Sequence, residues 1–211
     1  MPRRLLTLSL CLLASLTAVF AIYAQDSDKP DPEAEIRQAP RVIDRRQWRI
    51  GELIEDIAFT DISGKAGKLS DYSGHTLVIF TTNTTCPLCK KYLPTLAEYE
   101  KAYADKVKFL YLNVTEGETA AKVAEVVKAA GLTGRYVLDP KADLGKALRA
   151  DTTTDCFVLD ASRTLQYRGA VDDQFGIGYS LDKPRVSYLR QALDAVLAGN
   201  QPIYQATWAP G

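Results

Sequence analysis

The chain has 211 residues, 26 Lys plus Arg against 26 Asp plus Glu, four Cys, one His and one Met, which suits one globular domain with extensions and excludes disorder throughout. A net charge of zero, with basic residues scattered along the chain, leaves no electrostatic footprint for nucleic acid, and a single histidine argues against a His-built metal centre or a Ser/His/Asp triad. Four cysteines are too few for a disulfide scaffold at this length, so those that matter should act chemically.

Arg3 and Arg4 precede an apolar run over residues 5–23 that ends in small residues, with Gln25 and Asp26 after it. Residues 1–24 therefore read as an export signal cleaved after Ala24 or Ala21. The run of 19 residues is also long enough for a membrane tether. Either reading places the remainder in a periplasmic or other extracytoplasmic compartment. Cys11 lies inside the run, and Leu8-Ser9-Leu10 lacks the small residue expected before a lipidated cysteine. Without residues 1–24 the chain keeps 24 basic and 26 acidic residues and three cysteines, an odd number for an oxidising compartment.

Residues 25–40 hold three prolines, many acids and few apolar residues, the composition of a solvated linker. The domain is placed at residues 41–198. Within it, 57–60 reads as a strand, 63–67 as a turn, and 76–82 (TLVIFTT) as a strand buried on both faces. Residues 86–104 follow as a helix with Leu93, Leu96, Ala97 and Tyr103 on one side, then 107–113 (VKFLYLN) as another buried strand. Residues 119–130 form a helix stopped by Gly131. A short strand (135–138), a short helix (141–149), a hairpin (156–160 with 164–168) and a last helix (184–198) complete the order β-β-α-β-α-β-α-β-β-α. The fold class is α/β, a central mixed sheet with helices on both faces. Residues 199–211 read as an extended tail carrying Trp208, which docks on the domain or serves an interface; Trp48 packs the start of the domain.

The chemistry concentrates where the strand 76–82 runs through Asn83-Thr84-Thr85 into Cys86-Pro87-Leu88-Cys89 at the start of a helix. Unsatisfied N–H groups and the positive end of the helix dipole favour a thiolate at Cys86. Cys89, one turn on, is within reach for an intramolecular disulfide. Pro87 fits the first turn, which needs no N–H there.

These residues resemble the thioredoxin-like superfamily, specifically exported redoxin-type thiol:disulfide oxidoreductases. The resemblance covers roughly residues 51–198 and rests on the strand before Cys86-x-x-Cys89, on Pro94 five residues after the second cysteine, on an entry hairpin around Phe59 to Tyr72, and on two final strands at Phe157 and Tyr167. It implies Cys86 and Cys89 as the catalytic, disulfide-forming pair, a substrate groove of Thr85, Pro87, Leu88, Thr153 and Thr154, no cofactor, and protein dithiol or disulfide partners with a separate electron donor. The departures are specific. The buried acid expected six residues before the first cysteine is Phe80, the tryptophan expected before that cysteine is Thr85, and the cis-proline that faces the dithiol is replaced by Thr154. A trans Thr153-Thr154 bond is expected, because a non-proline cis bond costs about 3 kcal/mol.

Cys156 follows two residues after that position. Its plain reading is a buried thiol acting as a small hydrophobe. The sharper one is a third ligand, with Cys86 and Cys89, in a copper-type metal module. His75 supplies no fourth ligand, since it begins the strand whose far end leads to Cys86, about 20 Å away at ~3.3 Å per residue. Peroxide chemistry is disfavoured by Asn83 and Ile79, where the peroxiredoxin pattern has Thr or Ser and Pro. Residues 172–185 lengthen the last connection, either as a solvated loop or as a border of the dithiol with Phe175 and Tyr179 as contacts for a partner.

Overall fold

The computed structural model describes residues 42–176 and 178–211, so the predicted export signal and linker lie outside the described residues. Two short strands, β1 (Ala58–Thr60) and β2 (Ala66–Lys68), pair antiparallel across the turn that begins at Asp61, whose carboxylate accepts the N–H groups of Ser63 and Lys65. Ala66 and Gly67, expected in the turn, are thus part of a strand. The 3-10 turn Leu69–Tyr72 leads to β3 (Thr76–Thr81), all six residues of which are buried, as its unbroken apolar run requires. His75 is exposed in the turn just before it.

Helix α1 (Pro87–Ala102) then leads to β4 (Val107–Asn113), and α2 (Ala120–Ala130) to β5 (Arg135–Leu138). The Thr119 hydroxyl caps α2 by accepting the Lys122 N–H, and Gly131 ends it in the left-handed conformation that glycine adopts without strain. Helix α3 (Asp143–Leu148), strands β6 (Cys156–Leu159) and β7 (Leu165–Gly169), and helix α4 (Tyr188–Leu197) complete the frame. The connection before α4 is not a plain loop: β8 (Phe175–Gly176) and β9 (Tyr179–Ser180) pair as a small hairpin.

The main sheet has the order β5-β4-β3-β6-β7, with β3, β4 and β5 parallel and β6 and β7 antiparallel to their neighbours. Its two faces carry separate cores. Val78, Phe80, Tyr111, Cys156 and Tyr167 meet Tyr92 and Leu96 of α1, Val123 of α2, and Leu189 and Leu193 of α4 on one side. On the other, Leu77, Ile79, Leu110 and Phe157 meet Leu144 and Leu148 of α3 with Ile54, Phe59 and Leu69. The fold is thioredoxin-like, with the central strand β3 aimed at the N-terminus of α1. Among the described residues no helix is long and apolar enough to cross a membrane.

Residues 205–207 lie against the sheet. Arg168 N–H donates to the Gln205 carbonyl (3.0 Å) and Thr207 N–H to the Arg168 carbonyl (3.0 Å), so this segment adds beside β7. Gly169, at φ 136°, is what permits the approach, because a Cβ there would run into Thr207. Trp48 stacks on the buried Arg168 guanidinium, 4.0 Å from ring to cation, and Arg168 pairs with the buried Asp155.

Candidate functional site

The site is built where β3 stops. Asn83 Oδ1 accepts three hydrogen bonds, from Thr85 N–H (2.9 Å), Thr85 Oγ1 (3.0 Å) and Cys86 N–H (2.6 Å), and so winds the chain into the first turn of α1. Glu118 holds the same loop from behind. Its carboxylate accepts Thr84 N–H (2.8 Å), Thr84 Oγ1 (2.7 Å) and Asn113 Nδ2 (2.7 Å), which ties the loop to the end of β4.

Cys86 is the residue that caps α1, and Pro87 opens the helix. Half-buried, Cys86 places Sγ 3.3 Å from the Cys89 N–H and 3.3 Å from Thr153 Oγ1. Burial alone would raise its thiol. The Thr153 hydroxyl and the N–H groups of Cys89 and Leu88 outweigh that effect and lower it below the ordinary cysteine value. Cys89 is 1% exposed, and burial pushes its thiol up to about 11, with a further increase from the neighbouring Cys86. One thiol of the pair is thus prepared to ionise and the other to stay protonated.

Of the remaining residues expected at the groove, Thr85 and Pro87 are exposed, Leu88 is half-buried, and Thr153 is half-buried against Cys86. Thr154 departs from expectation. It is 0% exposed, so it does not line a groove; it takes φ 72°, its N–H donates to the Thr81 carbonyl (2.7 Å), and its hydroxyl donates to the Pro210 carbonyl. No cis peptide bond occurs among the described residues. Phe175 is half-buried and stacks edge-on against Tyr92 of α1 at 5.0 Å, with Lys91 over its face.

The three-cysteine ligand set is not assembled. Cys156 is fully buried in the sheet beside Phe80, and no group of three His, Cys, Asp or Glu side chains among the described residues is placed to hold a metal ion. Burial raises the Cys156 thiol well above its ordinary value, the behaviour of a packed hydrophobe.

Asn83 and Glu118 escaped sequence reasoning. An Asn three residues before a helix-capping position is a recognisable local signal. Glu118 has none, since its partners come from two other segments.

The redoxin family model matches residues 49–180. Thioredoxin-like protein YneN of Bacillus subtilis is 27% identical over 92 residues, 43% of this chain and 54% of that protein. Thiol-disulfide oxidoreductase ResA of Geobacillus thermodenitrificans is 26% identical over 112 residues, 53% of this chain and 63% of that protein. The chain therefore spans less than two thirds of either curated relative. The crystal structure of a hypothetical protein from Sinorhizobium meliloti superposes with a TM-score of 0.68 at 26% identity, covering 82% of this chain and 94% of that one. A family match across most of the domain, laid over a dithiol at the junction of β3 and α1, makes this chain a member of the redoxin family.

Proposed function

We propose that the protein is an exported thiol:disulfide oxidoreductase that exchanges disulfides with protein partners through Cys86 and Cys89. The observation that carries this reading is the asymmetry of the pair: a half-buried Cys86 sulfur held by Thr153 and the helix N–H groups, and a buried Cys89 one turn on. In the reductive direction the Cys86 thiolate attacks one sulfur of a partner's disulfide. That S–S bond breaks, a mixed disulfide forms, and the partner's other sulfur leaves as a thiolate and takes up a proton. Cys89 then gives up its proton and attacks the Cys86 sulfur, which releases the partner's second thiol and leaves a Cys86–Cys89 disulfide. Two electrons have passed to the partner, and an external dithiol must restore the pair. The same steps in reverse oxidise a partner.

Export rests on the sequence pattern of residues 1–24, and the ResA name places thiol–disulfide chemistry on a relative. The test is a pair of substitutions assayed with a protein disulfide. Cys86→Ser should abolish exchange, whereas Cys89→Ser should accumulate a mixed disulfide visible on a non-reducing gel. Exchange at the native rate by Cys86→Ser protein would overturn the proposal.

A further inference from the structure

The turn that presents Thr153 to Cys86 is held from two sides. Towards β3, Thr81 Oγ1 donates to the Thr152 carbonyl (2.7 Å) and Thr81 N–H to the Asp155 carbonyl (2.9 Å). The second set of contacts comes from residues 207–211. Thr152 Oγ1 donates to the Ala209 carbonyl (3.3 Å), Thr154 Oγ1 donates to the Pro210 carbonyl, and Gly211 lies so close to Thr153 that a Cβ added there would run into the Thr153 carbonyl. Ala209 and Pro210 are buried, and Thr207 is anchored by the Tyr167 hydroxyl of β7 (2.9 Å) and by the Ala170 N–H just beyond that strand (3.1 Å).

Thr154 shows why such an anchor is needed. A β-branched residue at φ 72° is strained, and it keeps that conformation only where its surroundings over-determine it. Its N–H is fixed by Thr81 and its hydroxyl by Pro210. Both contacts hold the backbone beside Thr153.

We propose that residues 207–211 are a positioning strap for the dithiol: by gripping the turn 152–154 they hold Thr153 Oγ1 on Cys86 Sγ, and Thr154 and Gly211 are the positioning residues through which they act. The inference rests on Cys86 being the reactive thiol, as proposed above, and it assigns to the last segment of the chain a part in tuning that thiol.

The test is the pH profile of Cys86 alkylation by iodoacetamide, followed by mass at the Cys86 peptide in the otherwise intact protein. Thr153→Val removes the hydroxyl itself and should raise the midpoint by about one pH unit, the scale of a hydrogen bond to a charged group. Thr154→Ala and Gly211→Ala, which leave Thr153 in place, should move the midpoint in the same direction, and Thr154→Ser, which keeps the hydroxyl, should restore it. Cys89, Lys90 and Lys91 of α1, Glu118 behind Thr84, and Asp151 and Asp155 flanking the turn are unchanged in all four variants. A thermal melt identifies folded protein, and Gly211→Ala, at an exposed position, guards against loss of Thr154→Ala to misfolding. Native midpoints in folded Thr154→Ala and Gly211→Ala overturn the strap, and so does a native midpoint in Thr153→Val. Disulfide exchange is assayed separately: its absence in the unsubstituted protein would count against the proposed function and leave the alkylation midpoints readable.

Discussion

Phe80 stands directly opposite Cys156 across the β3–β6 ladder, both fully buried on the face that packs against α1. The place where an acid was expected is therefore an aromatic ring beside a buried thiol, and Cys89 has no carboxylate at that position to take its proton. The expected consequence is a sharp chemical selectivity. At about pH 7.5, one equivalent of iodoacetamide should label Cys86 alone, because the Cys89 thiol sits near 11 and Cys156 is buried. Peptide mapping checks this, and extensive labelling of Cys89 or Cys156 in folded protein would contradict it.

Asn83→Ala should loosen the entry to α1. Three hydrogen bonds to one side-chain oxygen are lost, including that of Cys86 N–H. The expected cost is about 1–2 kcal/mol in denaturant unfolding, with slower alkylation of Cys86. A native alkylation rate would mean that the loop holds its shape without Asn83.

The buried runs made the frame legible in sequence. Strands at 107–113 and 135–138 appear with the predicted bounds because the apolar runs 109–112 and 136–138 make up most of each strand. The last helix begins at Tyr188 rather than at 184, since Asp173 takes the N–H groups of Arg185 and Val186 and holds that stretch as loop. Strands β8 and β9 are two residues each, too short to show alternation. Cys86 and Cys89 were legible because strand, loop and helix cap follow one another in the chain. The burial of Thr154 was not, because its partner Pro210 lies 56 residues away.

Glu100 is a buried acid whose contacts set a stability prediction. It is 6% exposed and accepts hydrogen bonds from the Tyr111 hydroxyl (2.7 Å), the Thr133 hydroxyl (2.6 Å), Thr133 N–H (2.5 Å) and Gly134 N–H (3.0 Å), thereby pinning α1 to the start of β5. Glu100→Ala leaves those donors unpaired and should cost about 3 kcal/mol or more. Unfolding by urea measures it, and a loss under 1 kcal/mol would show that water replaces the carboxylate.

Asp172 governs a pH dependence. Burial raises its carboxyl to about 6, although Gln174 N–H and the Tyr92 hydroxyl (2.9 Å) pull it back, and among the described residues its second oxygen has no hydrogen-bond partner. With the folded value above the ordinary 3.8, its contribution favours the fold fully below about pH 4 and is lost as pH rises through 6. The loss amounts to about 3 kcal/mol for a shift of two units. Asp172→Asn should flatten the fall in stability between about pH 4 and pH 7, leaving the part due to Asp155, which burial raises to about 7 against the pull of Arg168. Denaturant unfolding at several pH values checks it; identical slopes in the two proteins would remove Asp172 from the account.

Both margins of the main sheet are occupied. Residues 205–207 cover the outer side of β7, and on the far side Ile62 N–H donates to the Tyr136 carbonyl (2.9 Å) while Asp61 bridges Val137 along β5. Strand addition at either of these two margins is thereby blocked. Copies of the chain are likewise kept from pairing edge to edge through the main sheet.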